Sequence, residues 1–414
     1  MKKLLNILVF TLFTSVVLFA DWGNEEKVLA SDGVAEDKFG NSISISGDYA
    51  IIGAVGDDDN GNYSGAAYMF HYNGSNWVQQ TKLTPSDATA NDHFGISVSM
   101  FGDYAVIGNV YDDDNGANSG SAYIFHYDGS NWVQQAKLTA SDGADGDHFG
   151  RVVSISGDYA IIGAYADDND NGNFAGSAYI FYYDGSSWSQ QAKLTASDGE
   201  TYDLFGVSVS ISGDYVVIGT YCDDGNLTEA GAIYFFHYDG SIWVQQAKFF
   251  ASDAEAHDLF GHSVSISGDY AIIGSGGDDD NGNFSGSAYI FHYDGSSWSQ
   301  QTKLTASDSG GGDYFGGCVS ISGDYVIIGA SDDDDIDYFA GSAYIFHYDG
   351  SSWSQQTKLT ASDGADGDHF GHSVSISGNQ AVIGAYMDDD NGDYSGSAYF
   401  YENSSVAVLP SSFD

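Results

Sequence analysis

The chain repeats itself seven times at an almost constant interval, and this periodicity leaves few folds open to it. Each copy carries one tryptophan and, seventeen residues later, the phenylalanine of a Phe-Gly pair. Successive copies are 55 or 56 residues apart. A period of this length is typical of solenoids and propellers, in which each repeat is one supersecondary unit. The tryptophans are Trp22, Trp77, Trp132, Trp188, Trp243, Trp298 and Trp353, and the phenylalanines are Phe39, Phe94, Phe149, Phe205, Phe260, Phe315 and Phe370.

Every repeat contains four short segments with strand character, as the fifth copy illustrates. His262–Ser267 alternates serine with valine and isoleucine, and Tyr270–Ser275 is continuously apolar. Ser287–Tyr293 is rich in aromatic residues, whereas Trp298–Leu304 is mostly polar and suits an outer edge. Segments rich in Gly, Asp and Asn separate the four and favour turns. No apolar period of 3.6 residues runs for long after residue 20, so we expect almost no helix there.

Four antiparallel strands repeated seven times predict an all-β fold, namely a seven-bladed β-propeller of four-stranded antiparallel blades. A linear stack would leave two apolar ends, and the sequence offers no polar capping repeats, so a closed ring is favoured. The last copy supplies only three strands and finishes with Ser397–Asn403, while the missing fourth strand stands at Trp22–Leu29. We therefore expect the N-terminal strand to complete the last blade, with the propeller spanning residues 21–403 and a C-terminal tail at 404–414. Chance truncation of the repeat is the alternative.

Residues 1–20 combine two lysines, an apolar run and a small residue before Asp21, which is the pattern of a signal peptide. A membrane anchor is the alternative, although no charged stop-transfer flank follows. No later stretch is apolar enough to span a bilayer. We expect an exported chain that is secreted or held at a cell surface, without membrane insertion of the mature protein.

The charge balance excludes some partners and favours others. Without residues 1–20 the chain has 9 basic residues against 59 acidic ones. Nucleic acid is excluded as a partner, because phosphate binding needs clustered Lys and Arg. Divalent cations or basic proteins are the partners that such a field attracts. Aromatic residues at 15% and hydrophobic residues at 42% argue against disorder, and Cys222 and Cys318 are expected to be free thiols because they occupy unrelated positions in their repeats.

The repeats resemble FG-GAP repeats, the unit of the integrin α-subunit propeller and of many exported bacterial proteins. Phe260-Gly261 shows the first half of the motif, and "IIGA" at Ile51–Ala54 and "VIGA" at Val382–Ala385 show the second half without its proline. The resemblance covers residues 22–403 and implies a seven-bladed propeller that acts as a binding or adhesion module. In integrins the calcium loop lies between the Phe-Gly strand and the GAP strand, where this chain has only the short turn "SGDY". The family's calcium ligands are therefore not carried over.

Topology is expected to concentrate the acidic residues on one rim of the ring. The second connection of each blade and the blade-to-blade link should share a face, and together they hold 43 acidic residues against 11 on the opposite face. Calcium is the cation expected there, since it is hard and prefers six to eight oxygen ligands. Specific calcium sites, loose condensation of cations and no cation role at all are left open. The candidate ligands are Asp57, Asp59, Asp112, Asp114, Asp167, Asn169, Asn171, Asp278, Asp280, Asp388 and Asp390.

The third acidic loop is the best single candidate for a calcium site. Asp167, Asn169 and Asn171 precede Gly172 at a spacing like that of an EF-hand, although Ala175 stands at the ninth position instead of an acid. The simpler interpretation is that these loops are hairpin turns built of Asp, Asn and Gly.

We expect a binding or adhesion module and not an enzyme. The repeats differ most in the loops Thr220–Gly231 and Ser331–Gly341, and neither contains a nucleophile beside its base. The histidines recur with the repeat, which indicates a structural role. The expected partner is a protein on a cell surface or in the matrix, engaged directly or through cations.

The alternative is a carbohydrate-binding lectin or a polysaccharide-active propeller enzyme, in which the tryptophans could stack on sugar rings. Packing between blades is the other use of the tryptophans. A purely structural spacer is a third possibility.

Overall fold

The structure is a computed structural model that describes residues 22–223, 225 and 227–404. It contains seven antiparallel sheets of four strands each, and the described residues form no helix. None of the described chain could therefore cross a bilayer as a helix. The predicted signal peptide at 1–20 and nearly all of the predicted tail at 404–414 lie outside the described residues.

The first strand of each blade lies innermost, since it contacts the first strands of both neighbouring blades. Its alternating Ser and Val or Ile residues point to the two faces in turn. The seven inner strands are β2 (Phe39–Ser46), β6 (Phe94–Phe101), β10 (Val152–Ser156), β14 (Ser208–Ser212), β18 (Ser263–Ser267), β22 (Cys318–Ser322) and β26 (Ser373–Ser377).

The second and third strands are the buried centre of each blade. Both are covered on two faces by neighbouring blades, which accounts for their continuous apolar sequence. The second strands are β3 (Tyr49–Ala54), β7 (Tyr104–Asn109), β11 (Tyr159–Ala164), β15 (Tyr215–Thr220), β19 (Tyr270–Ser275), β23 (Tyr325–Ala330) and β27 (Gln380–Ala385). The third strands are β4 (Ala66–Tyr72), β8 (Ser121–Tyr127), β12 (Ser177–Tyr183), β16 (Ala232–Tyr238), β20 (Ser287–Tyr293), β24 (Ser342–Tyr348) and β28 (Ser397–Glu402).

The fourth strand is the polar outer edge. Blades 1 to 6 follow chain order, and each ends in its own tryptophan strand. These outer strands are β5 (Trp77–Leu83), β9 (Trp132–Leu138), β13 (Trp188–Leu194), β17 (Trp243–Phe249), β21 (Trp298–Leu304) and β25 (Trp353–Leu359).

Blade 7 is completed by the N-terminal strand β1 (Asn24–Val28). This strand pairs antiparallel with β28, with Asn24 opposite Glu402 and Val28 opposite Ala398. Trp22, 3% exposed, packs edge-on against Tyr325 of blade 6. The predicted closure of the ring by the N-terminal strand is confirmed.

Seven apolar clusters hold the ring together, and each lies between two neighbouring blades. In the cluster between blades 7 and 1, Phe39 lies edge-on to Tyr68, with ring centroids 5.5 Å apart. Trp77 stacks on Phe400 of blade 7 at 4.2 Å. The tryptophans thus pack between blades, as one of the two sequence interpretations predicted.

The glycine of each Phe-Gly pair is required because the backbone of the preceding blade approaches it closely. Gly40 has φ of 89°, and a Cβ there would collide with the backbone carbonyl of Ser397. Only glycine combines that backbone conformation with so close an approach. The Phe-Gly pair is therefore a junction between blades.

Candidate functional site: the acidic rim

The connections between second and third strands lie beside the blade-to-blade links, and we call the surface that they form the acidic rim. The backbone N–H of Asn91, in the link into blade 2, donates to the carbonyl of Asn62 in the second connection of blade 1 at 2.8 Å. The same contact recurs where the ring closes, from Glu36 to Asp393 at 2.8 Å. The predicted concentration of acidic residues on one rim is confirmed.

A lysine lies at the centre of each group of carboxylates on the acidic rim. The Lys82 ammonium is 2.6 Å from Asp57, 2.6 Å from Asp59 and 3.0 Å from Asp32. Asp57 and Asp59 come from the second connection, Asp32 comes from the link, and Lys82 comes from the outer strand of the same blade. Three carboxylates match the three N–H donors of an ammonium group.

Five blades carry this complete group, which we call the lysine cluster. Each consists of one lysine and three aspartates and keeps a formal charge of −2. The clusters are Lys27 with Asp363, Asp388 and Asp390; Lys82 with Asp32, Asp57 and Asp59; Lys137 with Asp87, Asp112 and Asp114; Lys303 with Asp253, Asp278 and Asp280; and Lys358 with Asp308, Asp333 and Asp335.

Blades 3 and 4 depart from this pattern because the third aspartate is replaced. Lys193 pairs with Asp142 and Asp167, since Asn169 stands at the third position. Lys248 pairs with Asp198 and Asp223, and it also lies over the ring of Phe250, 4.9 Å from its centroid.

A buried tyrosine forms the floor of each cluster. The Tyr68 hydroxyl is 2.9 Å from an oxygen of Asp32 and 2.9 Å from an oxygen of Asp57, and the Lys82 ammonium lies 5.4 Å from the ring centroid. Burial raises the pKa of Tyr68, and the two carboxylates raise it further. Burial alone would lower the pKa of Lys82, but its hydrogen bonds to the carboxylates outweigh burial and raise it. The cluster is a charged network tied to the apolar core.

Most of the predicted calcium ligands belong to these clusters. Asp57, Asp59, Asp112, Asp114, Asp278, Asp280, Asp388 and Asp390 lie in complete clusters, and Asp167 lies in an incomplete one. The side-chain oxygens of Asp253, Asp278 and Asp280 lie within 4.8 Å of one another, which would suit a metal ion. The Lys303 ammonium is 2.6 to 2.8 Å from all three. The lysine thus lies where a bound cation would lie, and calcium binding stays a prediction.

The amide side chains of the EF-hand-like third loop are engaged by backbone groups of the loop and of the link that follows blade 3. The Asn169 amide donates to the carbonyl of Gly176 at 2.7 Å, and its oxygen accepts from the N–H of Asn171 at 2.8 Å. The Asn171 amide donates to the carbonyl of Ala196 at 2.9 Å. The hairpin-turn interpretation accounts for these contacts without a metal.

A second set of aspartates lies beneath the rim and is buried. Asp368, two residues before Phe370, is 5% exposed, and its carboxylate accepts the N–H of Ala365 at 2.8 Å. Burial raises its pKa to about 6, and the neighbouring Asp388 adds to this increase. Burial likewise raises the pKa to about 6 in Asp37, Asp147, Asp203 and Asp258. It also raises the pKa of Asp92 and Asp313.

These raised pKa values predict that the buried aspartates contribute stability that is lost as the pH rises from about 4 to about 6. Over that range these carboxyls bind more protons in the folded state than in the unfolded state, so their contribution to the free energy of unfolding falls with pH. Asp368→Asn keeps the acceptor for Ala365 and removes the charge. We expect the variant to be about 1 kcal/mol more stable than the wild type above pH 7, a value reduced for solvent screening near the rim.

Urea unfolding at pH 4.5, 6 and 8 measures this effect. The gain from Asp368→Asn should be smaller at pH 4.5, where the carboxyl of the folded wild type is largely protonated, and should approach zero only below about pH 4, where the unfolded carboxyl is protonated too. Asp349→Asn, on an exposed turn of the opposite rim, is the control. A difference between Asp368→Asn and the wild type that is the same at every pH would contradict the assignment.

Aromatic side chains stand among the carboxylates of the rim. Phe284 has φ of 55°, a left-handed conformation that is strained for an aromatic residue. Its N–H donates to the exposed Asp279 at 2.7 Å, and its carbonyl accepts from Tyr314 of the next link at 3.1 Å. The Phe284 and Tyr314 rings stack at 6.1 Å. Positive φ recurs at the equivalent aromatic residues Tyr63, Phe174, Phe339 and Tyr394.

Eight of the eleven histidines form two structural sets, in line with their periodicity, and His257, His262 and His372 lie outside both sets. His71, in a third strand, packs on Tyr49 at 4.7 Å, and His126 packs on Tyr104 at 4.4 Å. In the second set, His148 lies before Phe149, with Nδ1 2.7 Å from the Tyr165 hydroxyl. Cys222 and Cys318 do not form a disulfide with each other, as expected.

Sequence reasoning missed the lysines, although their signal is present. The lysine five residues after each tryptophan recurs as regularly as the tryptophan itself. Apart from residues 1–20, only Lys38 and Arg151 are basic residues outside this series. A periodic cation in a chain so rich in periodic acids indicates an internal counterion, and this inference was open from the sequence.

The comparison with known families matches the repeats found in the sequence. The FG-GAP repeat family matches seven segments of the chain, each running from a tryptophan strand into the third strand of the next blade. No curated protein shows a significant match to the chain. The matched segments are residues 22–70, 77–125, 132–181, 188–236, 243–291, 298–346 and 353–401.

Proposed function

The chain belongs to the FG-GAP repeat family, and on that premise we propose that it is an exported, non-enzymatic binding module whose acidic rim engages a basic partner. A propeller of this family is a module of binding or adhesion type. The partner proposed is a protein at a cell surface or in the matrix that presents lysine and arginine side chains. Divalent cations, calcium among them, are proposed to gather at the outer carboxylates of the same rim.

The observation that carries this proposal is the charge that remains after internal pairing. Each complete lysine cluster keeps two uncompensated charges, and an exposed aspartate such as Asp58, Asp113 or Asp279 stands beside it. The opposite rim has the shorter Gly-Asp and Tyr-Asp-Gly turns. A rim with one sign of charge steers a partner of the other sign towards that face.

The aromatic residues of the rim support recognition of lysine and arginine in particular. Phe174 is 40% exposed and stacks on Tyr202 at 5.5 Å, with carboxylates in the adjoining loop. Exposed rings beside carboxylates suit a cation with an apolar stem, since the ring face attracts the charge and covers the methylene groups. Enzymatic activity is not proposed, because the cluster carboxylates are engaged by lysine and tyrosine.

Binding of a lysine-rich peptide tests the proposal with charge-matched variants. Asp113→Asn, Asp279→Asn and Asp389→Asn together remove three charges from the acidic rim and keep the acceptors for backbone N–H groups. Asp158→Asn, Asp269→Asn and Asp324→Asn remove three charges from exposed turns of the opposite rim. We expect the first triple variant to bind decalysine about tenfold more weakly than the wild type and the second to bind within about twofold.

Isothermal titration at 0.05 M and 0.15 M salt provides the affinities, with an uncharged peptide of equal length as the blank. Equal weakening in the two triple variants would show that net charge alone attracts the peptide, and the rim would lose its assigned role.

A further inference from the structure

The central channel is the place where the seven repeats differ from one another. Its cavity of about 470 Å³ is lined by the start of all seven inner strands. The second residue after each Phe lines it and is nearly always different, although serine and valine recur at the next two positions. These channel residues are Asn41, Ile96, Arg151, Val207, His262, Gly317 and His372. A position that varies among otherwise uniform copies is not set by the fold.

Arg151 is the only arginine of the chain, and it faces the channel. Among the described residues no carboxylate lies within ion-pair distance of its guanidinium, nor does its side chain form a hydrogen bond there. The periodic lysines, in contrast, each pair with two or three aspartates. A guanidinium is always charged and offers five N–H donors in a planar fork that matches carboxylate or phosphate. An unpaired one in so acidic a protein points to an external anion.

The side chains beside Arg151 complete a polar pocket with aromatic walls. Tyr165 and Tyr221 line the cavity next to Arg151, and the Tyr221 ring packs against His262 at 5.5 Å. His372 is reached by water in the channel, its imidazole makes no hydrogen bond among the described residues, and its ring packs on Tyr386 at 4.2 Å. Although water reaches one side of His372, the protein packed around it desolvates the ring and lowers its pKa to about 4, with further lowering from His369 and Arg151, so this imidazole is neutral near pH 7.

Two carboxylates act on the walls of this pocket, Asp332 on His372 and Glu229 on Tyr221, and both are already engaged. The Glu229 carboxylate lies 3.1 Å from Nδ1 of His257. Asp332 accepts from His369 at 3.1 Å and from the Ser331 hydroxyl at 3.0 Å. Among the described residues that line the channel, Arg151 is therefore the charged side chain without an ion-pair partner. The remaining acids are concentrated on the rim, and at 0.15 M ionic strength their repulsion is largely screened beyond about 8 Å.

We propose that the channel binds the anionic group of a small molecule, a carboxylate or a phosphate, on Arg151, with Tyr165, Tyr221, His262 and His372 as its walls. The cavity volume lies within the range of small-molecule sites. This site is independent of the acidic rim, which is proposed to engage cations. The channel would bind an anion, whereas the acidic rim of the same ring is proposed to bind cations.

Two variants with the same charge change separate this site from general electrostatics. Arg151→Val installs the residue that Val207 supplies at the equivalent position of the next repeat. Lys38→Leu removes one positive charge outside the channel and installs the residue that Leu204 supplies at its equivalent position. Both substitutions use side chains that the fold already accepts, and equal thermal midpoints would show that both variants are folded.

Ligand-observed NMR and titration calorimetry at pH 7 and 0.15 M sodium chloride then measure binding of inorganic phosphate, phenyl phosphate, acetate and benzoate. We expect saturable binding to the wild type, at least tenfold weaker binding to Arg151→Val, and binding within twofold for Lys38→Leu. The phosphate and carboxylate probes distinguish the two anion classes. Absence of saturable binding for all four probes, or equal loss in the two variants, would overturn the proposal.

Discussion

Lys303→Met is expected to lower the free energy of unfolding by about 3–5 kcal/mol, because it leaves three clustered carboxylates without their counterion. Methionine keeps an unbranched apolar stem over Tyr289 but supplies no charge. The carboxylate of Asp278 is 5% exposed on its side chain, so water replaces the lost ammonium poorly. Chemical unfolding at pH 7 in the presence of a chelator measures the loss.

The same variant tests the calcium proposal. Without the ammonium, Asp253, Asp278 and Asp280 present oxygens within 4.8 Å of one another, and a divalent cation can take the vacated place. We expect millimolar calcium to restore part of the stability of Lys303→Met, by roughly 2.7 kcal/mol if the free ion reaches 100 times its dissociation constant. The wild type should gain less, since lysine occupies its clusters.

Lys38→Met is the matched control for Lys303→Met, because it removes one lysine that lies outside the clusters. A change within about 0.5 kcal/mol is expected for it. Equal destabilisation by the two substitutions would mean that the cluster has no special role. A larger calcium effect in the wild type than in Lys303→Met would instead favour specific metal sites elsewhere on the rim.

Removal of the closing strand is expected to have the second large effect. A chain that starts at Ser31 lacks β1 and loses the five-residue pairing with β28, the buried Trp22 and the Lys27 ammonium. Loss of a buried tryptophan alone typically costs 3–5 kcal/mol, and the orphaned Asp388 adds to that cost. We expect the midpoint of thermal unfolding to fall by more than about 10 °C relative to a chain that starts at Asp21.

A synthetic peptide of residues 21–31 should restore the midpoint when added to the shortened chain. The same peptide with Lys27→Met should restore it less, because it supplies the strand without the counterion of Asp363, Asp388 and Asp390. If the shortened chain melted like the longer one, ring closure by β1 would contribute nothing to stability.

Much of the fold could be read from the sequence because the repeats encode it locally. The four strands predicted for the fifth copy agree with β18 to β21, and only the start of the first shifts, from His262 to Ser263. The period of two in the first strand and the apolar run in the second report burial directly. Because the same pattern recurs in all seven copies, a chance pattern in one copy does not change the strand prediction.

The functional surfaces were predicted less well. The acidic rim followed from topology alone, but the role of its carboxylates did not. Asp57, Asp59 and Lys82 are far enough apart in sequence that no local pattern joins them, and Asp32 comes from before the preceding Phe-Gly pair. Their meeting point is created by the pairing of outer and central strands together with the entry of the link.

The sequence by itself determined the number of blades, the order of the strands and the partner of the first strand, since each depends on the period and on which copy is incomplete. Tertiary structure decided which carboxylates each periodic lysine neutralises and which residues line the channel. Charge pairing depends on distances of a few ångströms between residues that lie from 23 to 363 positions apart in the sequence, whereas burial patterns repeat every two residues. For that reason the lysine clusters and the unpaired Arg151 emerged only when the ring was closed.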